Sequence, residues 1–154
     1  MSVVVRKARG GDFASVAELY GPNPHGVLDV FSDAKLLQKY TRLENYAVAE
    51  VDDAFAGFLY YHVVDGQMPR WFDPESSGRR YAHIIEVHVR DEHRRKGIAT
   101  KLMEFAFGDM RERGVDTVYV ETTENNLAAM HIYREKLGFQ IFNRTLHMKR
   151  PLSR

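Results

Sequence analysis

The stretch Arg94-Arg95-Lys96-Gly97-Ile98-Ala99-Thr100 joins three cations to a glycine where the surrounding pattern begins a helix. The first N–H groups of a helix have no internal acceptor, and the macrodipole places about half a positive charge there, so such an end takes an anion. Gly97 lets backbone come close to a phosphate, while Arg94, Arg95 and Lys96 surround it with charge and donors. That is the chemistry of a pyrophosphate cradle. The commoner nucleotide loops, G-x-x-x-x-G-K-[ST] and G-x-G-x-x-G, do not occur in the chain. Downstream, Asn126 and Tyr133 stand about two helical turns apart, so a helix presents both on one face with Met130 between them, separated by roughly 10 Å. Glu86 and Glu121 fall in strand patterns beside apolar residues, where burial would raise a carboxyl pKa toward the range of a general base.

Positioning these groups requires a strand before the cradle and a helix after it. Ile85, Val87 and Val89 alternate with Glu86, His88 and Arg90, the period of a half-buried strand. Beyond the turn Asp91-Glu92-His93, apolar residues recur at Ile98, Leu102, Phe105, Ala106 and Met110, a helical face that Arg111, Arg113 and Gly114 close. A strand follows over Asp116–Thr122, with Val118 and Val120 facing one way and Thr117, Tyr119 and Glu121 the other. A helix beginning at Asn125-Asn126 runs through Lys136 to Gly138, and Phe139–Phe142 with Thr145–Lys149 form a final pair of strands.

Upstream, Val3–Lys7 reads as a strand, and Asp12 as the N-cap of a helix carrying Phe13, Val16, Ala17, Leu19 and Tyr20, stopped by Gly21-Pro22-Asn23-Pro24. Ser32 or Asp33 caps a second helix with Leu36, Leu37 and Tyr40 inward. Strands at Asn45–Val51 and Phe55–Val63 meet across the hairpin turn Asp52-Asp53-Ala54. Between Asp65 and Arg80 lies a turn-rich excursion holding the only tryptophan, Trp71, which is either a lid on the substrate side or a loop pinned by its aromatics.

Arg94-x-x-Gly97-x-Ala99 resembles the Q/R-x-x-G-x-G/A signature of the GCN5-related N-acetyltransferases, and Asn126, Ala129, Tyr133 and Gly138-Phe139 resemble the family's downstream helix. The chain departs from the family in having Ala99 where glycine is common and Arg90 where proline often follows the strand. The resemblance implies an α+β fold, an α/β/α sandwich whose mixed, mostly antiparallel sheet of about seven strands carries helices on both faces. It implies a single domain over residues 1–154. It also implies acetyl-CoA as cosubstrate, its pyrophosphate held at Arg94, Arg95, Lys96, Gly97, Ile98, Ala99 and Thr100 and its pantetheine arm along Asn126 and Met130. Backbone N–H groups around Val87, His88 and Val89 would hold the thioester carbonyl, and Tyr133 would protonate the leaving thiolate. Glu121, twelve residues before Tyr133, matches a proposed base of the N-terminal ribosomal-protein acetyltransferases, with Glu86 or a water chain as alternatives. The acceptor would be a primary amine, on a small molecule, a peptide N-terminus or a lysine, attacking directly in a ternary complex. The alternative is a binding module that senses acyl-CoA without turnover.

Composition narrows the other classes. Across 154 residues, 22 basic side chains meet 21 acidic ones, so nothing favours nucleic acid or an anionic membrane as partner. There is no cysteine, which removes thiolate nucleophiles and fits a cytoplasmic protein, monomeric or homodimeric. No apolar window suits a membrane helix. No metal is expected: H-E-x-x-H is missing, and His83 and His88 should point to opposite faces of a regular strand. His88 is expected to line a groove and His93 to lie on the surface. Asp29, Asp33, Asp65, Asp73, Glu75, Glu86, Glu121 and Glu124 are candidates for a negative rim around the acceptor, opposed by Arg70, Arg79 and Arg80.

Overall fold

The computed structural model describes residues 1–21 and 30–152. Five strands, β1 (Val3–Lys7), β2 (Tyr46–Val51), β3 (Ala54–Asp65), β4 (Arg80–Val89) and β5 (Thr117–Tyr119), lie side by side in chain order. The first four pair antiparallel: β2 and β3 meet in a tight turn at Asp52 and Asp53, both with positive φ (49° and 66°), whereas residues 8–45 separate β1 from β2 and residues 66–79 separate β3 from β4. β5 joins parallel to β4, which requires a crossover, and helix α3 (Ile98–Glu112) supplies it. Helices α1 (Asp12–Tyr20) and α2 (Ala34–Tyr40) cover the other face of the sheet, and α4 (Leu127–Met130) continues into wider π-helical turns over His131–Lys136.

The core has two layers because each sheet face meets different partners. Small side chains at Ala47, Ala49, Ala56 and Ala82 let α3 come close, and Ile98, Leu102, Met103, Ala106 and Met110 are buried against them. On the opposite face Phe13, Val16 and Leu37 pack on Tyr46, Val48, Phe58 and Tyr60. Tyr40, expected inward on α2, is exposed, and Leu37 is the buried residue of that helix. Asp33 is the cap of α2, its carboxylate accepting from the N–H groups of Lys35 and Leu36. Asp12 is not a cap. It is the first residue of α1, and its carboxylate binds the guanidinium of Arg6 and the N–H of Arg9. The proline stop at residues 22–24 lies outside the described residues.

Three further differences from the sequence reading have physical causes. The alternation along β4 is broken by a bulge at Ile85: Tyr60 faces Glu86 and Tyr61 faces Ile84, leaving Ile85 between them. Ile84, Val87 and Val89 therefore face α3, while Ile85, and with it the side carrying His88, faces α1. β5 spans three residues rather than the expected seven. The final strands at 139–142 and 145–149 do not form. Phe142 packs edge-on against Phe72 and Tyr119, and Asn143 donates to the Phe72 carbonyl, so this segment is tied to the 66–79 loop instead of to a sheet edge. That loop is pinned from both ends. Tyr119 donates to Asp73 at 2.6 Å and Met68 is buried, although Trp71 stays 83% exposed.

Under α3, Asp109 accepts from the phenol of Tyr61 and pairs with Lys7 (2.8 Å) and Arg113 (3.3 Å). Burial pushes its pKa up, but the bonds from Lys7, Tyr61 and Arg113 outweigh it and hold the carboxyl below its ordinary value. A depressed carboxyl contributes stability that is full above its unfolded pKa of about 3.9 and is lost as pH falls through the folded value. Asp109→Asn should therefore cost about 2 kcal/mol at pH 7. Urea unfolding should show that difference shrinking below about pH 4; a gap independent of pH would mean that the charge of Asp109 is not what ties β1, β3 and α3 together.

Candidate active site

The turn ahead of α3 takes the backbone shape its residue types require. After β4 the chain makes one tight turn over Asp91–His93, then passes through Arg95 (φ 62°) and Gly97 (φ 76°) before α3 begins. The left-handed conformation at Gly97 swings the following backbone so that the helix starts directly over the end of β4. The first N–H engaged inside α3 is that of Lys101, which donates to the Gly97 carbonyl at 3.1 Å. Those of Ile98, Ala99 and Thr100 have no helical acceptor. Arg94 pairs with Asp91 at 3.0 Å and remains 68% exposed, and Lys96 donates to the carbonyl of Glu92. Both cations are held beside the helix start and remain accessible to an anion.

Next to the cradle the sheet parts. β4 and β5 pair only from Tyr81 and Thr117 to His83 and Tyr119, and from Ile84 onward β4 has no paired strand on that side among the described residues. The N–H of Arg90 donates to Ala56 of β3 at 2.8 Å. Alternation then turns the N–H groups of Val89 and Val87 away from β3, toward the parting. Gly57 makes the opposite edge tight: a Cβ there would stand 2.6 Å from the His88 carbonyl, so only glycine lets β3 approach β4 at this level. Two sets of unengaged donors thus flank the turn, Val87 and Val89 on β4 and Ile98, Ala99 and Thr100 at the start of α3.

Across the parting stands the downstream helix. Asn126 caps α4, its Oδ1 accepting from the Ala129 N–H at 3.2 Å. The wider π-helical turns that follow carry Tyr133 off the line a straight α-helix would give it relative to Asn126. Tyr133 instead packs half-buried on the α3 side of the core, edge-on to Phe139 at 5.7 Å. Its hydroxyl bonds to no other described residue, and burial pushes the phenol up, so it stays protonated at neutral pH. Met130, one turn earlier, is partly buried.

The two carboxylates are placed differently from expectation. Glu121 is not buried among apolar residues: β5 ends at Tyr119, and the Glu121 side chain is 63% exposed and 3.1 Å from His83. Glu86 is the enclosed one, 24% exposed, with His88 Nε2 at 2.6 Å from its Oε2. The bulge puts these pairs on one face, overturning the expectation that His83 and His88 diverge. His88 stacks on Phe58, and His83 stands opposite His62, whose Nε2 lies 3.0 Å from the Tyr60 hydroxyl. Burial, with a smaller contribution from His83, pushes the pKa of His62 down. Tyr60 and His62 escaped the sequence reading, although Phe58, Tyr60 and His62 alternate along one face of β3 and would have shown it. His93 is half-buried rather than on the surface. Among the described residues no group of three or more His, Asp or Glu could hold a metal ion.

The acidic rim does not assemble. Asp33 caps α2, Asp65 pairs with Arg80, Asp73 accepts from Tyr119, and Glu124 pairs with Arg144. Asp29 lies outside the described residues.

A profile of the Acetyltransferase (GNAT) family matches residues 13–139, and the chain belongs to that family. It is 32% identical over 101 residues to an N-alpha-acetyltransferase of Saccharolobus solfataricus, covering 62% of this chain and 56% of that protein. It is 37% identical over 67 residues to GCN5-related N-acetyltransferase 6, chloroplastic, of Arabidopsis thaliana, covering 44% of this chain and 23% of that one. The chain thus matches little more than half, or less, of these relatives' lengths. The fold is that of AAC(6')-Iy solved with a bisubstrate analog, CoA-S-monomethyl-acetylneamine, with a TM-score of 0.73 at 15% identity over 99% of this chain and 100% of that one. The α+β class expected from the sequence stands, with five strands where about seven were expected.

Gly97 gives the site a direct test. No atom lies within 4 Å of where its Cβ would be, so Gly97→Ala meets no clash and costs about 1 kcal/mol for the left-handed backbone. Gly97→Glu adds a carboxylate at the helix start. Calorimetry should show acetyl-CoA affinity weakened a few-fold at most in Gly97→Ala and abolished in Gly97→Glu; equal affinity in all three proteins would make the turn an ordinary surface turn.

Proposed function

We propose that this protein is an acetyl-CoA-dependent N-acetyltransferase that delivers the acetyl group to a primary amine by direct attack in a ternary complex. The observation that carries the reading is that the β4–β5 parting lies one short turn before the α3 helix start: the N–H groups of Val87 and Val89 face the parting, and those of Ile98, Ala99 and Thr100 have no helical acceptor. A diphosphate at Gly97, Ile98, Ala99 and Thr100, flanked by Arg94, Arg95 and Lys96, would leave the extended arm to follow β4. There its amides replace the pairing that β5 no longer gives.

The chemistry then falls to a few groups. The N–H of Val87 or Val89 polarises the thioester carbonyl and stabilises the oxyanion that forms when nitrogen attacks. Tyr133, protonated and without a competing bond, donates to the departing thiolate sulfur. Asn126 and Met130 line the far side of the parting. For the base, Glu86 is better placed than Glu121 by its enclosure. The family's profile and the acetyltransferase relatives support transfer rather than sensing alone.

Following free thiol over a panel of small amines and peptides with unblocked N-termini tests this directly. Release with at least one acceptor is expected; tight acetyl-CoA binding without release on any of them would make the protein a sensor. On a verified acceptor, Tyr133→Phe should lower kcat on the order of 10²-fold while acetyl-CoA affinity stays within a few-fold. An unchanged kcat would return Tyr133 to the core and require another proton donor.

A further inference from the structure

Resting on the transfer reading above, we infer that the proton acceptor for the amine is the imidazole of His88, with the Glu86 carboxylate as its positioning partner. The two side chains lie on the α1 face of β4, two residues apart beyond the bulge, with His88 Nε2 2.6 Å from Glu86 Oε2. That bond fixes the tautomer: Nε2 carries the proton and donates to the carboxylate, and Nδ1 keeps its lone pair. No described residue bonds Nδ1. The ring is held in place by stacking on Phe58 (5.2 Å, 19° between planes) and by the edge of Tyr20 (5.4 Å). It lines a cavity of about 370 Å³ together with Val89 at the end of β4 and Arg94, one of the cations ahead of α3.

The other charged groups around that space are already engaged. Glu18 of α1 pairs with Arg90 at 3.2 Å, and Asp91 pairs with Arg94 at 3.0 Å. Tyr60 faces Glu86 from β3, its phenol pushed up by burial and so no base near neutral pH. Glu92 lies on the exposed turn. An imidazole also suits the reaction better than a bare carboxylate. As a side-chain type the imidazole is the stronger base, which brings it closer to the primary ammonium that must be deprotonated.

The acceptor ammonium gives one proton to His88 Nδ1, and the neutral nitrogen attacks the thioester carbon. Collapse of the resulting oxyanion breaks the C–S bond, and the sulfur takes its proton from Tyr133. The second proton on nitrogen passes to the Tyr133 phenolate, and His88 releases its own to solvent, so one proton is liberated per acetyl transferred.

The experiment uses the full chain with acetyl-CoA and the acceptor on which thiol release is established. The pH dependence of kcat/KM and the affinity for acetyl-CoA are measured for wild type, His88→Gln and Glu86→Gln. In wild type kcat/KM should rise with pH through a single limb. His88→Gln should lower kcat on the order of 10²-fold, remove that limb and leave acetyl-CoA affinity within a few-fold. Glu86→Gln should keep the limb, because the imidazole is still present, with kcat reduced about tenfold as the ring loses the bond that orients it. His88→Gln with wild-type kcat and an intact limb overturns the inference, as does loss of the limb in Glu86→Gln with His88→Gln unaffected, which would make Glu86 the base. Failure of wild type to release thiol on any acceptor overturns the transfer reading instead, so the two failures are distinguishable.

Discussion

Everything in this structure turns on a parallel strand pair that ends early. β5 keeps company with β4 for three residues and then leaves, while β4 continues for six more with one edge unpaired. Unpaired strand edges are liabilities that proteins ordinarily cover or blunt. Here the donors of Val87 and Val89 are kept in a cleft between two elements, a defined invitation to an extended amide-bearing ligand. The fold sustains this because β4 is secured on its other side. Nine residue pairs join it to β3, Gly57 lets the two approach closely, and α3 clamps both from below. Tyr61 and Asp109, with Lys7 and Arg113, lock that clamp to the far strand.

The helix start belongs to the same device. A crossover is obligatory between parallel strands, and its first turn must lie at the C-terminal end of the strand it follows. α3 therefore delivers its positive end beside the parting without any further element. Gly97 and Arg95, both left-handed, make the reversal short enough for cradle and cleft to be contiguous. The charge at this end is modest and local, in keeping with a chain whose acidic and basic residues nearly balance.

Local signals made much of this legible. The β4–turn–α3 unit, the Asp52-Asp53 hairpin, the Asp33 cap and the Asn126 cap each depend on residues within a few positions of one another, and each stands. What could not be read was set by distant partners. The bulge at Ile85 reflects the register against Tyr60 and Tyr61 and resets every side chain N-terminal to it, which is why His83 and His88 share a face. The alternation in 145–149 satisfies a strand pattern, yet Leu146 and Met148 stand 82% and 90% exposed because Phe142 and Asn143 hold the preceding segment to the loop. The burial of Glu121 failed for a similar reason, since a three-residue strand ends before reaching it. The widening of α4 into π-helical turns has no signal in the sequence that we can identify.

The contiguity of cleft and cradle is best tested by amide chemical shifts and hydrogen exchange of uniformly labelled protein, with and without acetyl-CoA. The account predicts that Val87 and Val89 on β4, and Ile98, Ala99 and Thr100 at the start of α3, shift together and gain protection at the same ligand concentration, while β1 and β2 are unmoved. Protection confined to α3, with the Val87 and Val89 amides unchanged at saturating ligand, would contradict it.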